Sequence, residues 1–378
     1  MSAKELEFEG VTGVGKMRLV LESDQHIYTF IGANGIGKTK MLEALFQLFL
    51  FSSDWIQDSH DNDIENRSWR FTAVSQNLLN NFVQIKPAKL PNRVSAIKSL
   101  FSPLAHRLPV IFLGAQSRGR IFPTLSSKPQ RLGSLNERRQ SYVNLALHCM
   151  DSGLGAMNME TSIGEWFVTL ARSANPYQKR EDNRDVEIKT VIRLLHEIDS
   201  RIDPDFLEIA GDDQVSLKIE GQKRELSQLS SGFTSILKLV QAIVSGYGFF
   251  TNETRLQNVK GIVLIDEIES HLHLTWQANI IPLLKKLFPN TVFYITTHSS
   301  VVLTQLKEGE AYTLYRDERG VVQTRKIPAP NNAALTDILR EVFQVDLNRL
   351  KLENSHVDDQ LEAKKSLLSL LKKQENKQ

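Results

Sequence analysis

Cysteine is nearly absent from this 378-residue chain, with Cys149 standing alone. One thiol cannot close an intramolecular disulfide, and it cannot supply a cysteine-rich zinc site. Cys149 therefore reads as a small buried hydrophobe. An excess of one charge is missing too. The 46 basic and 44 acidic side chains leave +2. That excludes a surface that is polycationic throughout, while a local basic patch stays open. Long hydrophobic runs are lacking. The most apolar stretch, 42–51 (LEALFQLFLF), holds Glu43 and Gln47. It falls far short of the ~20 residues of a membrane span and is expected to be a core helix. The opening MSAKELEFEG has neither the basic nor the apolar region of a signal peptide. The expectation is a reducing, cytoplasmic setting. No internal repeat, low-complexity tract or long heptad run is found.

With 41% hydrophobic and 24% charged residues, the composition is that of an ordinary globular chain with a sizeable core. Short strands are expected at 6–9 and 17–21, and apolar strands at 26–31, 109–113, 262–265 and 292–296. Helices are expected at 38–51, 234–245, 274–288 (through Pro282), 336–343 and 361–371. Residues 52–107 are polar and mixed, with helices expected. Residues 141–205 read as mostly helical, and 206–219 as a hairpin. Apolar strands alternating with helices imply a parallel sheet covered on both faces.

The strongest motif is Gly32-Ala33-Asn34-Gly35-Ile36-Gly37-Lys38-Thr39. It fits G-x-x-x-x-G-K-[ST] in full and lies between an expected strand and an expected helix. The glycines let successive N–H groups converge on phosphate oxygens, and the helix N-terminus adds partial positive charge. Lys38 can reach the β- and γ-phosphates, and the Thr39 hydroxyl can ligate Mg²⁺. The aliphatic run from Gly261 ends in Asp266 and Glu267. Asp266 is suited to Mg²⁺ opposite Thr39, and Glu267 to the general base for an attacking water. His271 and His273 follow, and their spacing fits a solvated turn better than a metal site. His298 ends another expected strand and could hydrogen-bond the γ-phosphate or the water. Leu229-Ser230-Ser231-Gly232-Phe233 precedes a helix that Ser230 can cap.

Together these four segments resemble the ABC-type ATPase family. The phosphate loop is similar to the form common in its SMC, RecF and OLD-like branch. LSSGF resembles the family's LSGGQ signature, LIDEIESHLH (264–273) its Walker B and D-loop, and His298 its switch histidine. The resemblance implies an α/β fold: an ABC-ATPase-type P-loop domain with a mixed sheet and an inserted, mostly helical subdomain. It also implies ATP with Mg²⁺ as ligands. Two nucleotides would be sandwiched in a head-to-tail dimer, with Ser230, Ser231 and Gly232 reaching the partner's nucleotide. Phe233 departs from the family, which usually has a polar residue there. For the family's Q-loop glutamine, Gln84 and Gln116 both follow apolar runs, and Gln116 is preferred.

Between Lys38 and Asp266 the chain is longer than in transporter ATPase subunits, and it lacks the heptad arms of SMC proteins. The implied organisation is an N-terminal half at 1–119, an insertion at 120–225, a C-terminal half at 226–330 and a helical cap at 331–378. This resembles single-chain bacterial ATPases of the RecF, OLD and anti-phage defence type, among them the Septu type, and 335–346 resembles a helix of defence-associated members. In Septu-like systems the ATPase pairs with a separate HNH nuclease. The expected function is a dimeric nucleotide switch over DNA processing or such a nuclease. A RecF-like repair ATPase, a transporter subunit or a slowly turning ATP-binding scaffold are the alternatives. Residues 116–140 hold Arg118, Arg120, Lys128, Arg131, Arg138 and Arg139 against a single acid, Glu137. That makes them a candidate DNA-backbone contact, or a solvated loop. The leucines of 361–371 form one face of a helix that packs on its own core or docks a partner.

Overall fold

A computed structural model describes residues 4–57, 68–78, 81–86, 100–121, 132–179, 182–343, 345, 349, 364 and 368. The chain divides into two compact units, Met1–Asn331 and Asn332–Gln378. The strands of the first are β1 (Lys4–Val11), β2 (Gly15–Leu21), β3 (Ile27–Ile31), β4 (Ala73–Leu78), β5 (Asn81–Ile85), β6 (Val110–Leu113), β7 (Ile202–Ile209), β8 (Val215–Ile219), β9 (Gln222–Glu225), β10 (Gly261–Ile265), β11 (Thr291–Thr296), β12 (Ala311–Arg316) and β13 (Val322–Lys326). Its longer helices are α1 (Lys38–Phe51), α2 (Leu135–Ser152), α3 (Ile163–Ser173), α4 (Asp185–Ile198), α5 (Ser231–Phe250) and α6 (Ile280–Leu287). In the second unit α7 (Leu335–Glu341) is a short helix. The leucine-bearing stretch 361–371 lies outside the described residues apart from positions 364 and 368.

A ten-stranded sheet runs in the order β5-β4-β1-β2-β13-β12-β3-β11-β10-β6. The sheet is mixed. β6, β10, β11, β3 and β12 are parallel neighbours. Every residue of β3, β6 and β10 is buried, as expected of strands covered on both faces. The other half is largely antiparallel, which gives the mixed sheet that the family resemblance implies. β1, β2, β4 and β5 pair antiparallel, and β2 alternates buried and exposed side chains, the mark of a sheet with one wet face. β4 and β5 fall where helices were expected. Ser75, Gln76 and Gln84 interrupt their apolar pattern, so pairing with β1 rather than local periodicity makes them strands.

Tyr28 of β3 stacks on its register partner Tyr294 of β11 at 5.0 Å between ring centroids. This cross-strand pair helps fix the alignment of the two central strands. β7, β8 and β9 form a separate three-stranded sheet, one strand more than the expected hairpin. The helix expected over 274–288 is instead a short turn, Leu274–Gln277, followed by α6. Pro282 falls in the first turn of α6, where its missing N–H leaves no helical bond unmade. α5 is longer than expected. By length and composition it could cross a membrane, but 89% of its apolar window is buried inside the fold. It is the core helix beside α2 and α4.

Candidate functional site

The carboxyl ends of β3, β6, β10 and β11 open on one edge of the sheet, where open α/β sheets bind ligands. Residues 32–37 leave β3 and turn into α1. Gly35 and Gly37 have φ of +78° and +106°, a left-handed backbone that other residues adopt only under strain. A Cβ on Gly37 would lie 2.6 Å from Val14 Cγ2. Gly37 caps α1 without a side-chain bond, so the first-turn N–H groups have no intrahelical partner and face the loop. Lys38 folds back over that loop, its Nζ donating to Gly32 O (2.8 Å) and Ala33 O (3.1 Å). Burial pulls its ammonium below the ordinary lysine range, opposed by the carboxylates of Asp266, Glu267 and Glu269.

Thr39 and Asp266 meet as expected. The Thr39 hydroxyl donates to the Asp266 carboxylate at 3.1 Å. Thr296, at the end of β11, donates to Asp266 Oδ1 at 2.6 Å. Asp266 is 4% exposed, and burial raises its pKa despite these hydroxyl donors. No ion pair to its carboxylate is found among the described residues. A buried carboxylate held only by hydroxyls, beside a threonine and a phosphate loop, suits a hard divalent cation. The donor set therefore fits Mg²⁺ and a nucleotide triphosphate.

Glu267 leaves the strand with φ +46°, an uncommon conformation for a side chain of this size. Its N–H donates to Thr296 Oγ1 at 2.8 Å, and its Oε2 accepts from Ser270 Oγ at 3.2 Å. Its Oε1 lies 4.0 Å from His298 Nε2, with both side chains about two-fifths exposed. The left-handed turn thus sets the glutamate beside the histidine. Glu269 holds the other side of this corner, accepting from Thr297 Oγ1 (2.7 Å) and from the His298 N–H (2.5 Å).

Gln116 stands just past β6, next to β10, and its N–H donates to Gly155 O at 2.8 Å. Gln84 lies on β5, at the opposite edge of the sheet. Ser230 caps α5, accepting from the Phe233 N–H at 3.3 Å, and Ser230 and Ser231 are exposed. Phe233 is buried, which accounts for an apolar residue at that position. A Cβ on Gly232 would come within 2.9 Å of His273 Cδ2, and Ser235 Oγ donates to Ser270 O at 3.1 Å. The start of α5 is thereby seated on the segment after Glu267. His271 and His273 are exposed. No group of metal-ligating side chains occurs among the described residues.

The basic stretch is corrected by the structure. Arg118 is completely buried. Its guanidinium donates to Gly114 O (2.7 Å), Asp266 O (2.8 Å), Glu267 O (2.8 Å) and Ile268 O (3.4 Å). Arg138 is buried among α2, α4 and α5, bonded to Gly248 O and Asn252 Oδ1. Arg139 stacks at 3.8 Å on the Trp55 ring and donates to Phe250 O at 2.8 Å. Arg118 and Arg138 do not face solvent as a DNA contact must, and the half-buried Arg139 is engaged with Trp55 and Phe250. Arg120 is exposed, whereas Lys128 and Arg131 lie outside the described residues.

Sequence reasoning missed the second tier of the site. Lys238 of α5 is buried and donates to Ser117 O (2.9 Å) and Met159 O (2.7 Å). Burial lowers it to about 8. Lys238 and Arg118 therefore clamp the 114–118 loop to α5 on one side and to the Walker B end on the other. A lysine inside an apolar helix was the available signal for one. Thr296 and Glu269 offered no signal beyond lying close to motif residues.

A phosphate loop facing an acidic strand end on this mixed sheet is the arrangement of a P-loop nucleotide-binding domain. The chain belongs to the family described as "AAA domain, putative AbiEii toxin, Type IV TA system", which it matches over residues 49–304. It is 35% identical over 133 residues to Septu protein PtuA of Bacillus mycoides (strain KBAB4), covering 33% of this chain and 18% of that protein. It is 39% identical over 106 residues to the Retron Ec83 probable ATPase of Escherichia coli, covering 26% of this chain and 20% of that protein. The chain thus aligns with about a fifth of the length of either relative. Among solved structures, an SMC head bound to the C-winged helix domain of ScpA superposes with a TM-score of 0.46 at 12% identity, covering 87% of this chain and 98% of that one.

Proposed function

We propose that the protein binds and hydrolyses ATP as a head-to-tail dimer, and that this switch governs DNA processing or a separate nuclease in anti-phage defence. The observation that carries the proposal is the contact of Thr39 and Thr296 with the buried Asp266 carboxylate, beside Glu267 and His298. In this reading Thr39 and Asp266 hold Mg²⁺, which when bound offsets charge on the phosphates. Lys38 exchanges its loop carbonyls for phosphate oxygens and stabilises charge on the transferred group. Glu267 orients the attacking water and accepts its proton, and His298 steadies the γ-phosphate. Gln116 lies at the mouth of the same edge and serves as the Q-loop residue.

Ser230, Ser231 and Gly232 would contact the partner's nucleotide. The exposure of Ser230 and Ser231 at the N-terminus of a long helix supports that role. We read residues 120–225 as an insertion between the two halves of the ATPase domain. The separate pairing of β7, β8 and β9 supports it. The named Septu and retron relatives favour defence over RecF-like repair. Burial of Arg118 and Arg138 and the engagement of Arg139 with Trp55 weaken the local feature that favoured direct DNA contact, and a nuclease partner such as an HNH protein is the better supported output. The setting proposed is the cytoplasm.

Complementation tests the dimer. Lys38→Ala and Ser231→Arg should each abolish turnover alone. Mixed in equal amounts, they should regain about a quarter of wild-type turnover, because half the dimers then hold one intact composite site. Mixtures as inactive as either parent would refute action across the dimer.

A further inference from the structure

Away from the nucleotide site, α2, α3, α4 and α5 border a cavity of about 120 Å³ lined by Arg138, Trp166, Leu170, Arg184, Glu187 and Phe249. Its polar wall is unusual. Arg138 and Arg184 are 5% and 1% exposed. Arg184 Nε donates to Glu187 Oε1 at 2.8 Å, and Arg138 spends two N–H groups on Gly248 O and Asn252 Oδ1. Among the described residues, Arg138 Nε and Arg184 Nη2 have no partner. Buried guanidinium groups are normally paired in full, and an exception points to a missing water or ion.

The charges lining the cavity do not balance either: two arginines, Arg138 and Arg184, stand with one carboxylate, Glu187. Glu187 packs against Gly248, where a Cβ would come within 2.2 Å of its Oε1, and its carboxylate is taken by Arg184. The remaining wall combines Trp166, Leu170 and Phe249 with the hydroxyls of Ser141, Thr169 and Ser245, a mainly apolar lining with a few polar groups that suits a small organic ligand.

We propose that this cavity binds a small organic anion, its phosphate or carboxylate group between Arg138 and Arg184 and its apolar body against Trp166, Leu170 and Phe249. The proposal is independent of the nucleotide site, which is formed by other residues at the carboxyl ends of the strands.

Trp166 supplies the readout. The full chain carrying Lys38→Ala, so that the phosphate loop does not answer, is titrated with inorganic phosphate, phenyl phosphate and phenylacetate while tryptophan emission is followed. A saturable change is expected, with at least one phenyl-bearing anion about tenfold tighter than inorganic phosphate. The preferred headgroup separates phosphate from carboxylate. Trp166→Phe should remove the signal, and Arg184→Gln should weaken binding at least tenfold. Thr169→Glu is the second variant, because Thr169 also lines the cavity. Its carboxylate should occupy the anion position, abolish binding and raise the thermal midpoint. No saturable response to any of the anions, or a response untouched by both Arg184→Gln and Thr169→Glu, overturns the proposal.

Discussion

Replacing Arg118 with methionine separates a structural arginine from a DNA-binding one. Methionine keeps most of the apolar stem and loses every donor. The carbonyls of Gly114 and Asp266, 2.7 and 2.8 Å from the guanidinium, then lose their donor, while that of Glu267 keeps only the Ser270 N–H. Each buried carbonyl left unsatisfied costs about 1–3 kcal/mol. The gain from no longer burying a cation, whose pKa is pushed down to about 10, offsets part of this. A net loss of about 3–5 kcal/mol is expected, in the range of a broken buried network. In urea the midpoint should fall by about 1 M or more. ATP turnover should fall further than stability alone explains, because the guanidinium also holds the backbone of Asp266 and Glu267. An Arg118→Met protein that unfolds at the wild-type midpoint, and loses only salt-sensitive DNA affinity, would refute the buried assignment and restore the contact reading.

Other outcomes follow from the same contacts. Lys238 titrates at about 8 in the fold against 10.5 as a free side chain. Between those values the unfolded chain holds more protons, so unfolding free energy should rise with pH from about 8 to 10.5. Lys238→Met should flatten that rise in denaturation midpoints taken across the window. Thr296→Val removes the donor to Asp266 Oδ1 and the acceptor for the Glu267 N–H. It should destabilise by about 1–2 kcal/mol and raise the Mg²⁺ concentration needed for half-maximal turnover. Gly248→Ala drives a methyl group into Glu187 and should cost about 1–3 kcal/mol, read as a lower thermal midpoint.

The sequence made the phosphate-loop edge legible because phosphate chemistry demands particular residues in a fixed order. Gly35, Gly37, Lys38, Thr39, Asp266 and Glu267 announce themselves by spacing and by the apolar strands before them. The parallel strands β3, β6, β10 and β11 were equally plain, since each is apolar on both faces. β4 and β5 were hidden because their strand character comes from β1 across the ladder, not from their own alternation. The arginines of 116–140 misled for a related reason. Charge along a chain does not reveal burial, and Arg118, Arg138 and Arg139 turn inward to satisfy carbonyls that only tertiary structure brings near. The break ahead of α6 was foreshadowed by Pro282, although the long helical pattern around it masked the signal.

The central claim is that Glu267, set beside His298 by its left-handed turn, activates water for ATP hydrolysis. The most direct measurement is steady-state phosphate release by Glu267→Gln, with ATP affinity determined on the same protein. Turnover at least about a hundredfold below wild type, within the range usual for loss of a general base, is expected together with unchanged ATP binding. Hydrolysis at the wild-type rate would contradict the assignment.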